Sequence, residues 1–382
     1  MDLERNKGIR IIVPLRGNIY IQDGLGAEAD SPLRLLYDKS MLETKEEERK
    51  RSKRGKSQKR RSKSGSDVGR DAGAIDPQLS PDGSMVAFVA GGELHVMSCG
   101  NSSSLDIDVS QTSNDSIAME IDCSKGESSI SSWSGTRKLT RLTYGAMLEN
   151  EDECEDEDSD NDMTTNLDDS KADEQQKRKY GRSVTHGLAD FVAQEEMDRY
   201  QGFWWDEDSS GILFARVDES KVPPYRITHQ GSDGIAGDET NYEEHRYPFA
   251  GESNPEVSLG YVNIDRDIIL SSASENACEV AAKRAWSAVK WFEPPEEASE
   301  YLARVNWISS GSACVQWQDR RQSTLLLVKI DVNSGDSIIL HREQSDEWIN
   351  LHHMFKLLPK PIHPNQCLEL ENEEETADLP EG

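Results

Sequence analysis

Short apolar runs separated by glycine-containing turns recur along the chain. Residues 9–23 (IRIIVPLRGNIYIQD) predict two β-branched strands that meet at a glycine. After Leu79 a tight turn leads into an apolar run that ends at Phe88. Gly91-Gly92 then precedes the alternating segment Glu93–Met97, a pattern that predicts a β-hairpin.

The same layout returns twice. Trp205–Phe214 and Trp307–Gln316 each place a polar, glycine-containing turn between a bulky apolar residue and a strand. Further strands are predicted over Thr136–Thr143, Arg226–His229 and Thr324–Ile330. Turn-and-strand units at a long period are typical of a β-propeller with insertions, and a β-sandwich with similar turns is the alternative fold.

Three polar tracts interrupt these strands, at about residues 42–74, 100–134 and 146–182. They hold too few apolar residues to form a core, so we predict that they are disordered insertions. The composition agrees, because 35% of all residues are hydrophobic and 30% are charged.

The charge is strongly negative, with 43 Lys and Arg against 72 Asp and Glu and a net charge of -29. A polyanion would be repelled, so nucleic acid is not expected as a partner. The basic tract Arg49–Lys63 resembles a nuclear localisation signal and contains no aromatic residue on which bases could stack. The chain has no apolar run of membrane-spanning length, and Met1–Arg10 lacks a signal-peptide core. We therefore expect a cytoplasmic protein without a membrane partner, with nuclear import through the basic tract as the alternative.

Known catalytic and metal motifs are missing from the sequence. No serine stands in a Gly-x-Ser-x-Gly elbow, no histidine is followed by glutamate, and no phosphate-binding glycine loop is present. In the acidic run at 149–162, Asn161 and Leu167 occupy the positions where an EF-hand loop needs its glycine and its bidentate glutamate. We assign no catalytic residue, no metal ligand and no cofactor.

One segment has the pattern of a binding site. Asp190–Tyr200 predicts about three helical turns, with Phe191, Val192 and Met197 packed on one side and Glu195-Glu196 directed elsewhere. Adjacent carboxylates repel each other, and a substrate ammonium group would relieve that repulsion. The alternative is a glutamate pair that simply faces solvent on a polar helix surface.

This segment, His186–Tyr200 (HGLADFVAQEEMDRY) followed by Gly202–Trp205, resembles the double-glutamate motif of the dipeptidyl peptidase IV family, within the prolyl oligopeptidase clan of serine peptidases. Further segments are similar to that family in the same order: Val222–Arg226, Tyr247–Pro255, Glu300–Trp307 and Gln316–Gln322.

The resemblance implies an eight-bladed propeller that caps an α/β-hydrolase domain. We expect residues 1–353 to form roughly five blades, an incomplete all-β propeller whose one short helix carries the glutamates. The tail at 354–382 is expected to be divergent and disordered, and the hydrolase domain to be absent from these residues.

The resemblance also assigns roles. Glu195 and Glu196 would clamp the amino terminus of a peptide, so that cleavage follows its second residue, usually proline or alanine. The chain alone is expected to be inactive, because the family's nucleophile lies beyond the propeller. Expected partners are peptide amino termini and a full-length homologue or catalytic domain. The alternative is a non-enzymatic interaction scaffold.

Overall fold

The structure, a computed structural model, describes residues 10–23, 33–42, 73–100, 138–146, 183–228, 242–271 and 273–358. The chain divides into two compact units, Met1–Ile349 and Asn350–Gly382. In the second unit, the described residues 350–358 form neither a helix nor a strand. The bounds 1–353 and 354–382 stay a prediction, and the basic tract and nearly all of the three polar tracts lie outside the described residues.

The first unit is built from strands. They are β1 (Arg10–Leu15), β2 (Asn18–Asp23), β3 (Arg34–Tyr37), β4 (Ile75–Leu79), β5 (Met85–Ala90), β6 (Glu93–Ser98), β7 (Leu139–Arg141), β8 (Val184–His186), β9 (Phe203–Trp205), β10 (Gly211–Asp218), β11 (Pro224–Thr228), β12 (Tyr242–Arg246), β13 (Glu256–Asn263), β14 (Lys290–Phe292), β15 (Tyr301–Ser309), β16 (Ser312–Gln318), β17 (Thr324–Asp331) and β18 (Ser337–Gln344). Helical segments are α1 (Phe191–Glu195), α2 (Arg266–Leu270), α3 (Glu275–Ser287) and the 3₁₀ turn Glu296–Ala298.

The strands form successive antiparallel sheets. Sheet 1 has the order β1-β2-β3, sheet 2 is the meander β4-β5-β6-β7, and sheet 4 is the meander β15-β16-β17-β18. Sheet 3 has the order β14-β13-β10-β8, with β9 also paired to β10, and β11 pairs with β12 in a separate hairpin. Every pairing is antiparallel.

The turns explain why the predicted hairpins form. Arg16 and Gly17 join β1 to β2 with φ of 52° and 79°, and Gly91 and Gly92 join β5 to β6 with φ of 57° and 74°. Two consecutive positive φ angles match the twist of the flanking strands. The strands predicted in these two segments are confirmed.

Hydrophobic cores lie between successive sheets. Alternate residues of the fully buried strand β5 belong to two different cores, because side chains alternate between the faces of a strand. Val86, Phe88 and Ala90 pack with sheet 1, and Met85, Ala87 and Val89 pack with sheet 3. In β10, Ile212 and Phe214 pack towards sheet 2, and Leu213, Ala215 and Val217 pack towards sheet 4. Sheets stacked face to face in chain order confirm the prediction of an all-β, incomplete propeller.

Polar contacts between turns reinforce this stacking. The backbone N–H of Asp82, in the turn of sheet 2, donates to Ser209 Oγ of sheet 3 at 3.1 Å. Arg266 donates to the Asp82 carboxylate and, at 2.9 Å, to the carbonyl oxygen of Asp208. The hydroxyl of Ser310, in the turn of sheet 4, donates to the Asp208 carboxylate. We call these five residues the turn belt.

Helix α3 was not indicated by the strand pattern, which predicted a single short helix. Ser274 caps it by accepting a hydrogen bond from the Ala277 N–H at 3.3 Å. Its Trp286 lies against the core between sheets 2 and 3, with its ring centroid 5.2 Å from that of His186. The helix therefore covers an apolar surface that the sheets alone leave open.

Candidate functional site

Helix α1 holds both glutamates of the predicted site at its carboxyl-terminal end. The Asp190 carboxylate caps the helix by accepting from the Ala193 N–H at 2.9 Å. Glu195 is the last helical residue, Glu196 is the C-cap, and both side chains are exposed. Neither carboxylate has an ion-pair partner among the described residues.

The helix is shorter than the predicted three turns over Asp190–Tyr200. It ends because Asp198 adopts a left-handed conformation with φ of 54°. Met197 and Arg199, on either side of Asp198, are 3% and 5% exposed. The chain leaves the helix in order to bury these two side chains, and the glutamates stand at the bend.

Arg199 fixes the backbone after the bend. Its Nε donates to the carbonyl oxygen of Leu302 in β15 at 2.8 Å, and its Nη1 donates to that of Gln201 at 2.9 Å. Its Nη2 lies 3.5 Å from Asp190 Oδ2. Burial lowers the pKa of the Arg199 guanidinium to about 10, in spite of the opposing effect of the Asp190 charge, so the group is a cation at neutral pH. Arg199 thereby ties the end of the segment to its start and to sheet 4.

A second arginine fixes the backbone next to the glutamates. Arg304 Nη1 donates to the carbonyl oxygen of Met197 at 2.8 Å and to that of Ala303 at 2.7 Å. Burial lowers the pKa of the Arg304 guanidinium below its ordinary value. The residues that follow Glu196 are thus held by cations from β15 and from the segment itself.

Exposed aromatic side chains flank the helix. Phe191 lies 5.7 Å from Tyr247, Tyr247 lies 5.0 Å from Phe249, and Phe249 lies 5.6 Å from Tyr225, measured between ring centroids. Tyr225, Tyr247 and Phe249 are 48%, 37% and 42% exposed, and we call these three the aromatic wall. Since Phe191 and Glu195 are four residues apart on one helix face, the wall lies on the side of Glu195.

A buried network positions the strand that leads into this segment. The Glu93 carboxylate, at the start of β6, accepts hydrogen bonds from Arg141 at 2.5 Å, from the Ala146 N–H at 2.6 Å and from the Thr143 hydroxyl. His186 Nδ1, at the end of β8, lies 3.0 Å from Glu93 Oε2. Glu93 thus joins sheet 2 to sheet 3 just ahead of the glutamate helix.

A second acidic group borders the helix cap. Burial, and then the negative charge of Asp190, raise the pKa of the half-buried Glu219 carboxyl to about 8. The cation Arg199 and the Glu219 carboxyl, uncharged near neutral pH, therefore both lie near the helix cap Asp190.

The raised pKa of Glu219 makes a pH-dependent prediction. The protonated Glu219 carboxyl stabilises the folded chain; this stabilisation is fully present below about pH 4.5 and is lost as the pH rises through about 8. Because Glu219 is partly exposed, we expect only a moderate effect of Glu219→Gln. The free energy of unfolding of this variant should exceed that of the native chain by about 1–2 kcal/mol at pH 8.5 and by little at pH 5. Urea unfolding at both pH values measures this difference. The exposed Glu207→Gln is the control, and an equal effect of Glu219→Gln at both pH values would contradict the prediction.

The sequence did not point to Arg199, Arg304, Glu93, Glu219 or the aromatic wall as parts of the site. Arg199 lies inside the motif that carries the resemblance, and Arg304 and the aromatic wall lie inside the further segments that are similar to the family, so the resemblance is the signal that could have singled them out. Among the described residues, no group of three His, Cys, Asp or Glu side chains is placed to hold a metal ion. The described part of the chain also contains no helix with the length and apolarity that a membrane crossing requires.

The fold and the site together define a class: a blade-type β protein that presents two adjacent glutamates on a helix inserted between strands. The model of the family described as the dipeptidyl peptidase IV (DPP IV) N-terminal region matches residues 165–376. The chain therefore belongs to this family, as the resemblance indicated, and is an N-terminal region of the dipeptidyl peptidase IV type.

Curated relatives agree with this assignment. Mouse dipeptidyl peptidase 8 is 30% identical over 207 residues, a match that covers 46% of this chain and 22% of the relative. The probable dipeptidyl-aminopeptidase B of Pyrenophora teres f. teres is 37% identical over 127 residues, covering 30% of this chain and 14% of the relative. The chain thus matches about a fifth or less of the length of these proteins. Among solved structures, dipeptidyl peptidase 4 of Porphyromonas gingivalis aligns with a TM-score of 0.43 and 15% identity, over 89% of this chain and 32% of that one.

Proposed function

We propose that Glu195 and Glu196 bind the free amino terminus of a peptide, as the substrate-binding part of a serine exopeptidase that releases dipeptides. One observation carries the proposal: two exposed carboxylates, neither paired with a cation in the part of the chain that the structure describes, stand at a bend whose backbone is held by the buried Arg199 and by Arg304. A glutamate pair that only faces solvent, the alternative, has no need of such a support.

The chemistry of an ammonium group suits this site. It carries a positive charge and three N–H donors, and two carboxylates offer acceptors on both sides of it. Acylation removes the charge and leaves a single N–H, so the site would discriminate against blocked peptides. The aromatic wall on the side of Glu195 provides apolar surface for the first side chains of the peptide.

The names of the relatives support the reaction. Dipeptidyl peptidase 8 and dipeptidyl-aminopeptidase B are named for acting on dipeptide units at an amino terminus. For this chain we propose the same release of X-Pro and X-Ala dipeptides, with the nucleophile supplied from outside the 382 residues. Serine, base and oxyanion donors must lie within about 3 Å of the scissile carbonyl, and these residues hold no Gly-x-Ser-x-Gly elbow. The partner would be a catalytic domain or a full-length homologue.

A second function, that of a non-enzymatic interaction scaffold, is favoured by strand β18. All eight of its residues are exposed, and Ile338, Ile339 and Leu340 are 56%, 46% and 52% exposed. An open strand edge with apolar side chains can pair with a strand of another protein. The two functions are compatible, because β18 is an outer strand of sheet 4 and none of its residues belongs to the clamp or to the aromatic wall.

The glutamate clamp predicts a specific loss of binding. We expect Glu195→Gln or Glu196→Gln to weaken the binding of an Ala-Pro peptide by about tenfold, since each removes one charged acceptor. Fluorescence anisotropy of a peptide labelled at its carboxyl terminus measures the affinity. The N-acetylated peptide should bind no better to the native chain than the free peptide binds to a variant that carries both Glu195→Gln and Glu196→Gln.

The matched control is Glu296→Gln with Glu297→Gln, which changes an adjacent, exposed glutamate pair elsewhere on the first unit. Equal affinity for free and acetylated peptides would refute the clamp. A Gly-Pro chromogenic amide tests the second part of the proposal, because turnover by the chain alone would show that a nucleophile lies within it.

A further inference from the structure

A cleft of about 560 Å³ opens at one end of sheet 3. Trp291 of β14 lines it together with Glu293 and Pro294 just after that strand, and Glu300 lines it just before β15. Neither Glu195, Glu196 nor the aromatic wall contributes to its lining. The volume is in the range of about 300–1,000 Å³ that is usual for ligand sites.

The cleft carries an excess of negative charge. Arg216 lines it, but its Nη2 lies 3.2 Å from the carboxylate of Asp218, which balances its charge. Glu256 is balanced by Lys221 at 2.6 Å. Glu293 and Glu300 have no cationic partner among the described residues, so two carboxylates are left for a ligand.

Trp291 gives the cleft a rigid aromatic surface. Its indole is 39% exposed. The rings of Phe214 and Trp286 meet it at near right angles, at 78° and 86°, with centroids 5.7 and 5.8 Å away. These edge contacts fix the ring from the core side. An aromatic face beside unpaired carboxylates attracts a cation, because the quadrupole of the ring and the carboxylate charges act in the same direction.

An amide in the wall of the cleft lacks an acceptor. Asn254 Nδ2 is shielded from solvent and has no hydrogen-bond partner among the described residues. Leaving a buried donor unpaired is costly, and a peptide carbonyl entering the cleft could supply the missing acceptor. This feature indicates a peptide rather than a free metal ion.

We propose that the cleft binds an arginine side chain presented by a peptide segment of a partner protein. The guanidinium group stacks on aromatic faces and pairs with carboxylates through parallel N–H donors, which matches Trp291 together with Glu293 and Glu300. The half-buried Asn254 side chain turns into the cleft and donates from Nδ2 to a backbone carbonyl of the same segment. The site thus recognises an internal basic residue, whereas the proposed clamp recognises an amino terminus.

The experiment uses the full chain and a fluorescent peptide, acetyl-Gly-Pro-Arg-Pro-Gly-amide, whose blocked amino terminus excludes the clamp. Anisotropy measures its affinity, and a peptide with citrulline in place of arginine keeps the shape without the charge. We expect the double variant Glu293→Gln, Glu300→Gln and the citrulline peptide each to weaken binding by about tenfold or more. Trp291→Phe, which keeps an aromatic ring against the core, should weaken it about threefold.

Two controls separate this site from others. Glu296→Gln removes an exposed carboxylate of the 3₁₀ turn outside the cleft lining, and Glu195→Gln with Glu196→Gln disables the clamp. Both should leave the affinity unchanged. Equal binding of the citrulline peptide, or undiminished binding by the Glu293 and Glu300 variant, would overturn the proposal. A preference for an acidic peptide would overturn it as well and would assign the site to Arg216.

Discussion

Replacing Glu93 by glutamine is expected to lower the free energy of unfolding by about 3 kcal/mol at pH 7, because a buried charge pair loses one partner. Glu93 is 3% exposed and receives donors from Arg141, Thr143, His186 and the Ala146 backbone. The amide of glutamine is itself a donor and would face some of these donors. Arg141 would also lose its counter-charge.

The effect of Glu93→Gln should depend on pH. Burial by itself raises the pKa of the Glu93 carboxyl, but the hydrogen bond from His186 and the charge of Arg141 outweigh it and lower the pKa from 4.5 to about 2. A lowered pKa means that the stabilisation is present above about pH 4.5 and is lost as the pH falls towards 2. As the pH falls through this interval, the free energy of unfolding of the native chain should therefore decrease by about 3 kcal/mol. The Glu93→Gln variant should not show this decrease.

Urea unfolding at pH 7 and at pH 3 measures both effects, with about 2 kcal/mol of the pH-dependent loss expected by pH 3. Glu347→Gln changes an exposed glutamate and should match the native chain at each pH. If the native chain and Glu93→Gln lost stability in parallel between pH 7 and pH 3, the charge network would not be a source of stability.

Replacing Arg199 by methionine is the second large effect. The side chain is 5% exposed and holds the carbonyl oxygens of Leu302 and Gln201 while it faces Asp190. Methionine preserves much of the apolar volume but leaves two buried acceptors and a buried carboxylate without their cation. We expect a loss of about 3 kcal/mol in the free energy of unfolding.

Arg199 is also a positioning residue for the clamp, and this role can be separated from stability. Under conditions in which both proteins are folded, Arg199→Met should reduce the preference for a free over an acetylated amino terminus. Arg199→Lys keeps the charge without the planar fork and should retain part of that preference. Arg284→Met, on the exposed face of α3, is the control for removal of a cation. An unchanged preference in folded Arg199→Met would limit Arg199 to a structural role.

Local patterns in the sequence predicted much of the fold. The paired glycine turn at Gly91-Gly92 and the apolar alternation around it were sufficient to place β5 and β6, since a hairpin depends on neighbouring residues. Helix α3 was missed although Ser274 and Glu275 give it an ordinary amino-terminal signal, because Cys278 and Ala282 are its only buried residues and the apolar period of the helix is weak.

The contacts that hold the glutamate site in place could not be predicted from local patterns. Arg199 bonds to a residue 103 positions later, and Glu93 lies next to a histidine 93 positions later. Such contacts follow from which sheets stack together, and no local pattern in a single sequence encodes them. The glutamates themselves were found through the resemblance, whereas the short helix and the bend that present them depend on the burial of Met197 and Arg199.

The turn belt has a consequence for how the first unit comes apart. Repeat architectures with purely apolar interfaces can lose their end repeats one at a time. Here, opening the turn of sheet 3 would leave the Asp82 N–H of sheet 2 without Ser209, would leave Arg266 of α2 without the Asp208 carbonyl oxygen, and would release Ser310 of sheet 4. Each opened turn therefore destabilises the sheets on both sides of it. Sheets 2, 3 and 4 should therefore open as one cooperative unit rather than fray blade by blade.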